Sequence, residues 1–166
     1  MRVSHAQISE ASRLVGEYRG RGLLIDTQLA VLLVVGLVSR SWVETHKRLD
    51  AYSSTDFDAL HRFCSMFSRL VTLPHVLAEV GNLVGRDAWP MLKIICIDQW
   101  GEHPVVSRTA GAETAYPYVG LTDAAILGVA DRSFLVLTDD SLLAAAVRAR
   151  TGAALSFDLV RAFWNR

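Results

Sequence analysis

Cysteine is scarce in this chain of 166 residues, which holds only Cys64 and Cys96. Two isolated thiols cannot frame a disulfide-stapled fold, and their spacing matches no zinc site. The pattern suits a reducing, cytoplasmic setting in which both thiols are buried as small hydrophobes. Lysine is as scarce, with Lys47 and Lys93 alone, and neither ends a late strand. That speaks against receiver- or phosphatase-type phosphate chemistry. So does the first strand, where Asp26 is followed by Thr27 and Gln28 and not by a second acid. Excess charge of either sign is missing, since 17 Lys+Arg balance 17 Asp+Glu. Any nucleic-acid contact therefore requires a local basic patch and not a global field.

A membrane span is missing too. The run Leu29–Val38 (LAVLLVVGLV) is uninterruptedly apolar, but Arg40 closes it at about half of the roughly 20 residues a span needs. The charged stretch through Glu10, Arg13, Glu17 and Arg19 has no cleavage-like site close behind it, which does not fit a signal peptide. The run reads as a helix buried on most sides. No repeat, linker or low-complexity segment divides the chain. Residues 1–166 are expected to form one domain, with 1–21 as a helical N-terminal extension.

What the chain has is apolar mass and an ordered alternation. Half of it is hydrophobic (51%) and a fifth charged (20%), as in a globular protein. Gly22–Asp26 reads as a short buried strand and Thr27–Val38 as an apolar helix. A polar insert around Trp42–Tyr52 follows, and Asp56–Arg69 has helical period through Phe57, Leu60, Phe63, Cys64 and Phe67. Leu70–Leu73 is a strand candidate, and Pro74 suits the first turn of a helix running to about Val84. Asp87–Trp100 predicts a further helix, Pro104–Ser107 a strand and Leu121–Asp131 a helix. Phe134–Thr138 predicts a strand, Ser141–Thr151 a helix and Ala153–Phe157 a last strand. Such alternation predicts an α/β fold with a parallel sheet covered by helices on both faces. Ligands of such sheets bind at the carboxyl ends of strands.

Acidic residues stand at those ends or border a core face: Asp26, Glu79, Asp123 and Asp140. Three have a purely structural alternative, because Asp26 and Asp139 or Asp140 could cap helices, and Asp123 could complement a helix dipole beside a Thr122 cap. Glu79 lies along the edge of the stripe formed by Val76, Val80, Leu83 and Val84, with Asn82 on the same side. Its plain alternative is a salt bridge to an arginine. One shared hard cation accounts for all four more economically, and Mg2+ or Mn2+ takes oxygen ligands of this kind. The five histidines are scattered, and His75 beside Pro74 reads as a helix-start surface residue.

In order and spacing these segments resemble a PIN-domain protein. The resemblance rests on an Asp closing the first strand (LLIDTQL) and a Glu in a helix after a Pro (LPHVLAEVGNL). An Asp opening a late helix (GLTDAAI) and a Thr-x-Asp ending the next strand (LTDDSLL) complete it. It spans Gly22 to about Phe157. It implies a three-layer α/β/α sandwich with a short central parallel sheet and a Mg2+- or Mn2+-dependent ribonuclease site. Asp26, Glu79, Asp123 and Asp140 would be the acidic quartet, catalytic and metal-ligating alike, with Asp139 as the alternative to Asp140. Thr27 and Thr138 are candidates for hydroxyl donors to the ligand sphere. Hydrolysis would leave a 5′-phosphate and a 3′-hydroxyl.

RNA is the implied substrate, single-stranded or looped, with Arg40, Lys47, Arg48, Arg86 and Arg108 as candidate backbone contacts. A small antitoxin protein and a homodimer are candidate partners, with the Leu29–Val38 helix as a candidate surface for either. The rival function is a PIN-like module that does not cut and serves as an RNA- or protein-binding platform.

Overall fold

The computed structural model describes residues 4–164, and the side chain of Trp164 lies outside the description. Residues 1–3 of the expected N-terminal extension also lie outside it. Ser4 caps the first helix, α1 (His5–Tyr18), through a reciprocal box with Gln7. The chain then enters β1 (Leu23–Ile25) and α2 (Thr27–Val38), followed by a 3-10 segment over Arg40–Thr45 and α3 (Ser54–Cys64). Next come β2 (Leu70–Thr72), α4 (Pro74–Leu83), α5 (Trp89–Leu92), β3 (Gly101–Glu102) and α6 (Ser107–Gly111). The series closes with α7 (Tyr116–Val129), β4 (Leu135–Thr138), α8 (Ser141–Thr151), β5 (Ala154–Ser156) and α9 (Phe157–Trp164).

The five strands form one parallel sheet in the order β3-β2-β1-β4-β5. Leu23 pairs with Leu70 on one side and Leu135 on the other, so β1 is central. β1 and β4 are buried along their whole length, which is why both read as apolar runs without alternation. Right-handed crossovers place the helices between β1 and β3 on one face of the sheet and those between β3 and β5 on the other, while α9, beyond the last strand, packs against α3. Contacts of α2 with α4 and α5, and of α7 with α8, agree with that arrangement. The result is the expected α/β/α sandwich.

Helix α2 lacks a polar face because it needs none. Leu29 through Gly36 are all buried, and α2 packs against α3, α4 and α5. Core burial accounts for its apolar run from Leu29 to Val35, while Val38 at its end is exposed. Gly36 is required by a close approach, since a Cβ there would overlap the Phe57 ring. Cys64 and Cys96 are free and buried, their thiols pushed up to about 12 by burial. Among the described residues no helix is long and apolar enough to cross a membrane.

Several expected elements are corrected. The strand expected at Pro104–Ser107 lies at Gly101–Glu102, an exposed two-residue edge strand. Pro104 has no N–H to offer a ladder, and Ser107 already opens α6. The single helix expected over Asp87–Trp100 is broken into a 3-10 turn at Arg86–Ala88, α5 from Trp89, and a π-helical segment at Lys93–Ile97. The last strand stops at Ser156, and Phe157 begins α9. The helix expected over Asp56–Arg69 starts at Ser54 and ends at Cys64.

Candidate active site

The sheet order reverses at β1. The chain builds outward through β2 and β3, then returns to add β4 and β5 on the opposite side. A crevice opens at such a switch point, outside the carboxyl ends of the two strands that flank it, here β1 and β4. Asp26 follows Ile25 and Asp139–Asp140 follow Thr138, so the ladder itself brings three acidic residues to those strand ends. The Asp26 amide extends the ladder by donating to the Leu137 carbonyl at 3.1 Å.

Asp26 is the anchor. It is 5% exposed, and its two oxygens accept three hydrogen bonds. Oδ1 receives the Leu29 amide at 2.9 Å, so Asp26 does cap α2. Oδ2 receives the Thr138 hydroxyl and the Asp139 amide, the latter at 3.0 Å. Burial outweighs these donors and holds the carboxyl at about 6, with the nearby Asp139 charge adding to the rise. Thr138 serves both sides, because its hydroxyl oxygen also accepts the Asp140 amide at 2.9 Å.

Asp140 caps α8. Its Oδ1 receives the Leu142 and Leu143 amides at 2.6 and 3.0 Å, and its Oδ2 has no partner among the described residues. Glu79 is exposed on α4, and its Oε2 accepts the Thr27 hydroxyl at 2.9 Å. The arginine expected as its plain partner is not there: among the described residues Glu79 forms no ion pair, and Asn82 makes no side-chain hydrogen bond. Thr27 and Thr138 thus hold carboxylates in place.

Asp123 has no such support. Gly120 breaks the helical path with φ 79°, and the helix restarts so that Asp123 is the third residue of the new first turn. Thr122 lies inside that turn and does not cap it. Among the described residues no donor bonds to the Asp123 side chain and no cation pairs with it. Its carboxyl is raised to about 7, first by burial and then by the charges of Asp26, Asp140 and Glu79. The four sequence-predicted carboxylates therefore share one electrostatic neighbourhood.

The adjacent Asp139 is engaged elsewhere. Its Oδ1 pairs with Arg161 Nη1 at 3.3 Å. The buried Tyr52 hydroxyl is held far above its ordinary range by burial and by the Asp139 carboxylate beside it. Arg161, Tyr52 and Asp56 are residues that sequence reasoning missed. Their signal was slight: an arginine near the C-terminus, a tyrosine of the polar insert and an acid at a helix start offer no motif.

The donor set consists of carboxylates and hydroxyls, the chemistry of a hard cation. Among the described residues, however, no three His, Cys, Asp or Glu side chains are gathered tightly enough to hold a metal ion as they stand. Of the basic candidates, Arg40 is engaged by Asp58 at 2.8 Å and Arg86 lies over the Trp89 ring. Lys47, Arg48 and Arg108 are exposed and have no ion-pair partner among the described residues. The Arg48 loop is tied next to the site, since Gln28 donates to the Arg48 carbonyl. His75 is half-buried, bonded through Nε2 to the Ser107 hydroxyl at 2.9 Å, with Nδ1 buried and unpartnered. No protein-family model, curated protein or solved structure matches the chain.

Proposed function

We propose that the protein is a Mg2+- or Mn2+-dependent ribonuclease of the PIN type, with Asp26, Glu79, Asp123 and Asp140 as its acidic quartet. The observation that carries this reading is Asp123, a half-buried carboxylate acted on by three others and compensated by no cation of the chain. Four like charges at one switch point are costly unless something positive joins them. When bound, a divalent cation would supply that charge and Lewis acidity toward a phosphodiester.

The chain's own groups divide the remaining work. Asp26 is fixed by three donors and orients the site. Asp140 spends one oxygen on the α8 amides and keeps the other for the crevice. Glu79 is aimed by Thr27. Asp123 or Asp140 would take the proton from an attacking water. Arg48, Lys47 and Arg108 are free to meet the RNA backbone, which makes binding salt-sensitive. A toxin restrained by an antitoxin is one biological role for such an enzyme.

The loose spacing of the carboxylates favours a second reading, a binding platform that does not cut. Incubating single-stranded RNA with the wild type in Mn2+, in EDTA, and with Asp123→Asn separates the two. The nuclease yields 5′-phosphorylated products in Mn2+ alone, and the substitution abolishes them. Intact RNA in every condition, with binding retained, supports the platform.

A further inference from the structure

We propose that Arg161 is a positioning residue of the acidic site, acting through Asp139. The inference rests on the cation reading above and deepens it, by assigning different tasks to two adjacent carboxylates that the sequence could not tell apart.

The Arg161 guanidinium is shared among three acids. Nε reaches Asp56 Oδ1 at 3.0 Å, and Nη1 reaches Asp139 Oδ1 at 3.3 Å and Asp158 Oδ1 at 3.1 Å. Its Cζ lies 4.7 Å from the Phe157 ring and 5.0 Å from the Tyr52 ring. The Arg161 side chain is only 22% exposed, and those of Asp56 and Asp139 are 11% and 21% exposed. An arginine held by that many partners and packed by two rings is not a mobile surface cation. A planar fork can span Asp56 and Asp139 together, whereas an ammonium group cannot.

The other end of Asp139 touches the site. Its amide donates to Asp26 Oδ2, beside the Thr138 hydroxyl on the same oxygen. The peptide that follows β4 is thus pinned from two directions: Asp26 receives its amide, and Arg161 holds its carboxylate. The pairing draws the Asp139 side chain toward α9 and Tyr52. Asp140, and not Asp139, is then the neighbour whose charge acts on Asp123. Arg161 thereby commits Asp139 to supporting Asp26 and leaves Asp140 for the cation. Partners that orient metal ligands commonly change metal affinity by about 10–100-fold when removed.

The test is Mn2+ binding by calorimetry on the full chain, with folding followed separately by melting in EDTA. Arg161→Lys keeps the positive charge and loses the fork, so a change in affinity reports geometry and not electrostatics. It should weaken Mn2+ binding about tenfold. Asp158→Asn removes the guanidinium's most exposed partner and should leave Mn2+ binding within about twofold, since it does not reach Asp139. Asp139→Asn keeps the amide and loses the ion pair, and combining it with Arg161→Lys should weaken binding no further than the stronger single change. Wild-type affinity in a folded Arg161→Lys, or additive losses in the double variant, would overturn the proposal. If Arg161→Lys does not fold, Asp139→Asn alone decides, through wild-type affinity against a tenfold loss. A wild type that takes up no Mn2+ overturns the cation reading itself, and this inference with it.

Discussion

Asp123→Asn should stabilise the protein that it disables. In the wild type the carboxyl titrates near 7 against an ordinary value of 3.8, so ionisation is unfavourable in the folded state. Between those two values the unfolded chain has released the proton while the folded chain keeps it. Wild-type stability therefore falls as pH rises from about 4 to about 7 and is flat above. Taken at face value the shift corresponds to about 4 kcal/mol, but the residue is only half-buried and solvent screening reduces this to roughly 1–2 kcal/mol. An acid in the first turn of a helix also earns about 0.3–1 kcal/mol from the helix dipole, which asparagine forgoes. The net expectation at about pH 8 in EDTA is a gain of about 1 kcal/mol, or roughly 2–4 °C in Tm for a chain of this size. The gain should shrink as pH falls and vanish only below about 4, where the carboxyl of the unfolded chain takes up its proton as well. Saturating Mn2+ should reverse the order, because about 100 times Kd of a ligand adds roughly 2.7 kcal/mol to the protein that binds it. Thermal melts across that pH range, with and without Mn2+, read all three effects. A variant less stable than wild type in EDTA at pH 8, or a difference that ignores pH, would show that Asp123 has a favourable partner and refute the reasoning.

Asp140 carries two separable tasks. Asp140→Ala should lose about 1 kcal/mol of stability with the α8 cap and also lose Mn2+ affinity, whereas Asp140→Asn should keep the cap and lose only the affinity, read by urea melts and calorimetry. Gly36→Ala should cost about 1–3 kcal/mol in a urea melt, because the added methyl must displace the Phe57 ring inside the core. Cys64 and Cys96 should resist a thiol reagent in the native protein at about pH 8 and react once the chain is unfolded, since burial holds both thiols near 12. Fast labelling of either in native buffer would contradict its burial.

The parts of the fold that were legible in the sequence are those where local signals and burial agree. Ser141–Thr151 has the same limits in sequence and structure, because Asp140 caps one end and Gly152 adopts the left-handed conformation at the other. Pro74 marks the start of α4, and the unbroken apolar run of α2 announces a helix covered on all sides. The strand at Gly101–Glu102 was hidden because an exposed edge pair carries no apolar pattern, while Val105 and Val106 imitate one nearby. Helix α9 was hidden because Phe157, fully buried, continues the apolar run of β5. The positions of Asp26 and Asp140 at strand ends followed from alternation alone. The resemblance named Thr27 and Thr138 as hydroxyl donors but not which carboxylates they hold, and the task of Arg161 was not legible at all, because each depends on a partner distant in sequence that no local pattern discloses.

The central claim is that four carboxylates share one divalent cation. Titrating the wild type and Asp123→Asn with Mn2+ by calorimetry, with and without a 2′-O-methyl RNA oligonucleotide that resists cleavage, tests it most directly. The account predicts saturable uptake by the wild type that Asp123→Asn abolishes. No heat from the wild type in either condition, or equal uptake by both proteins, would contradict it.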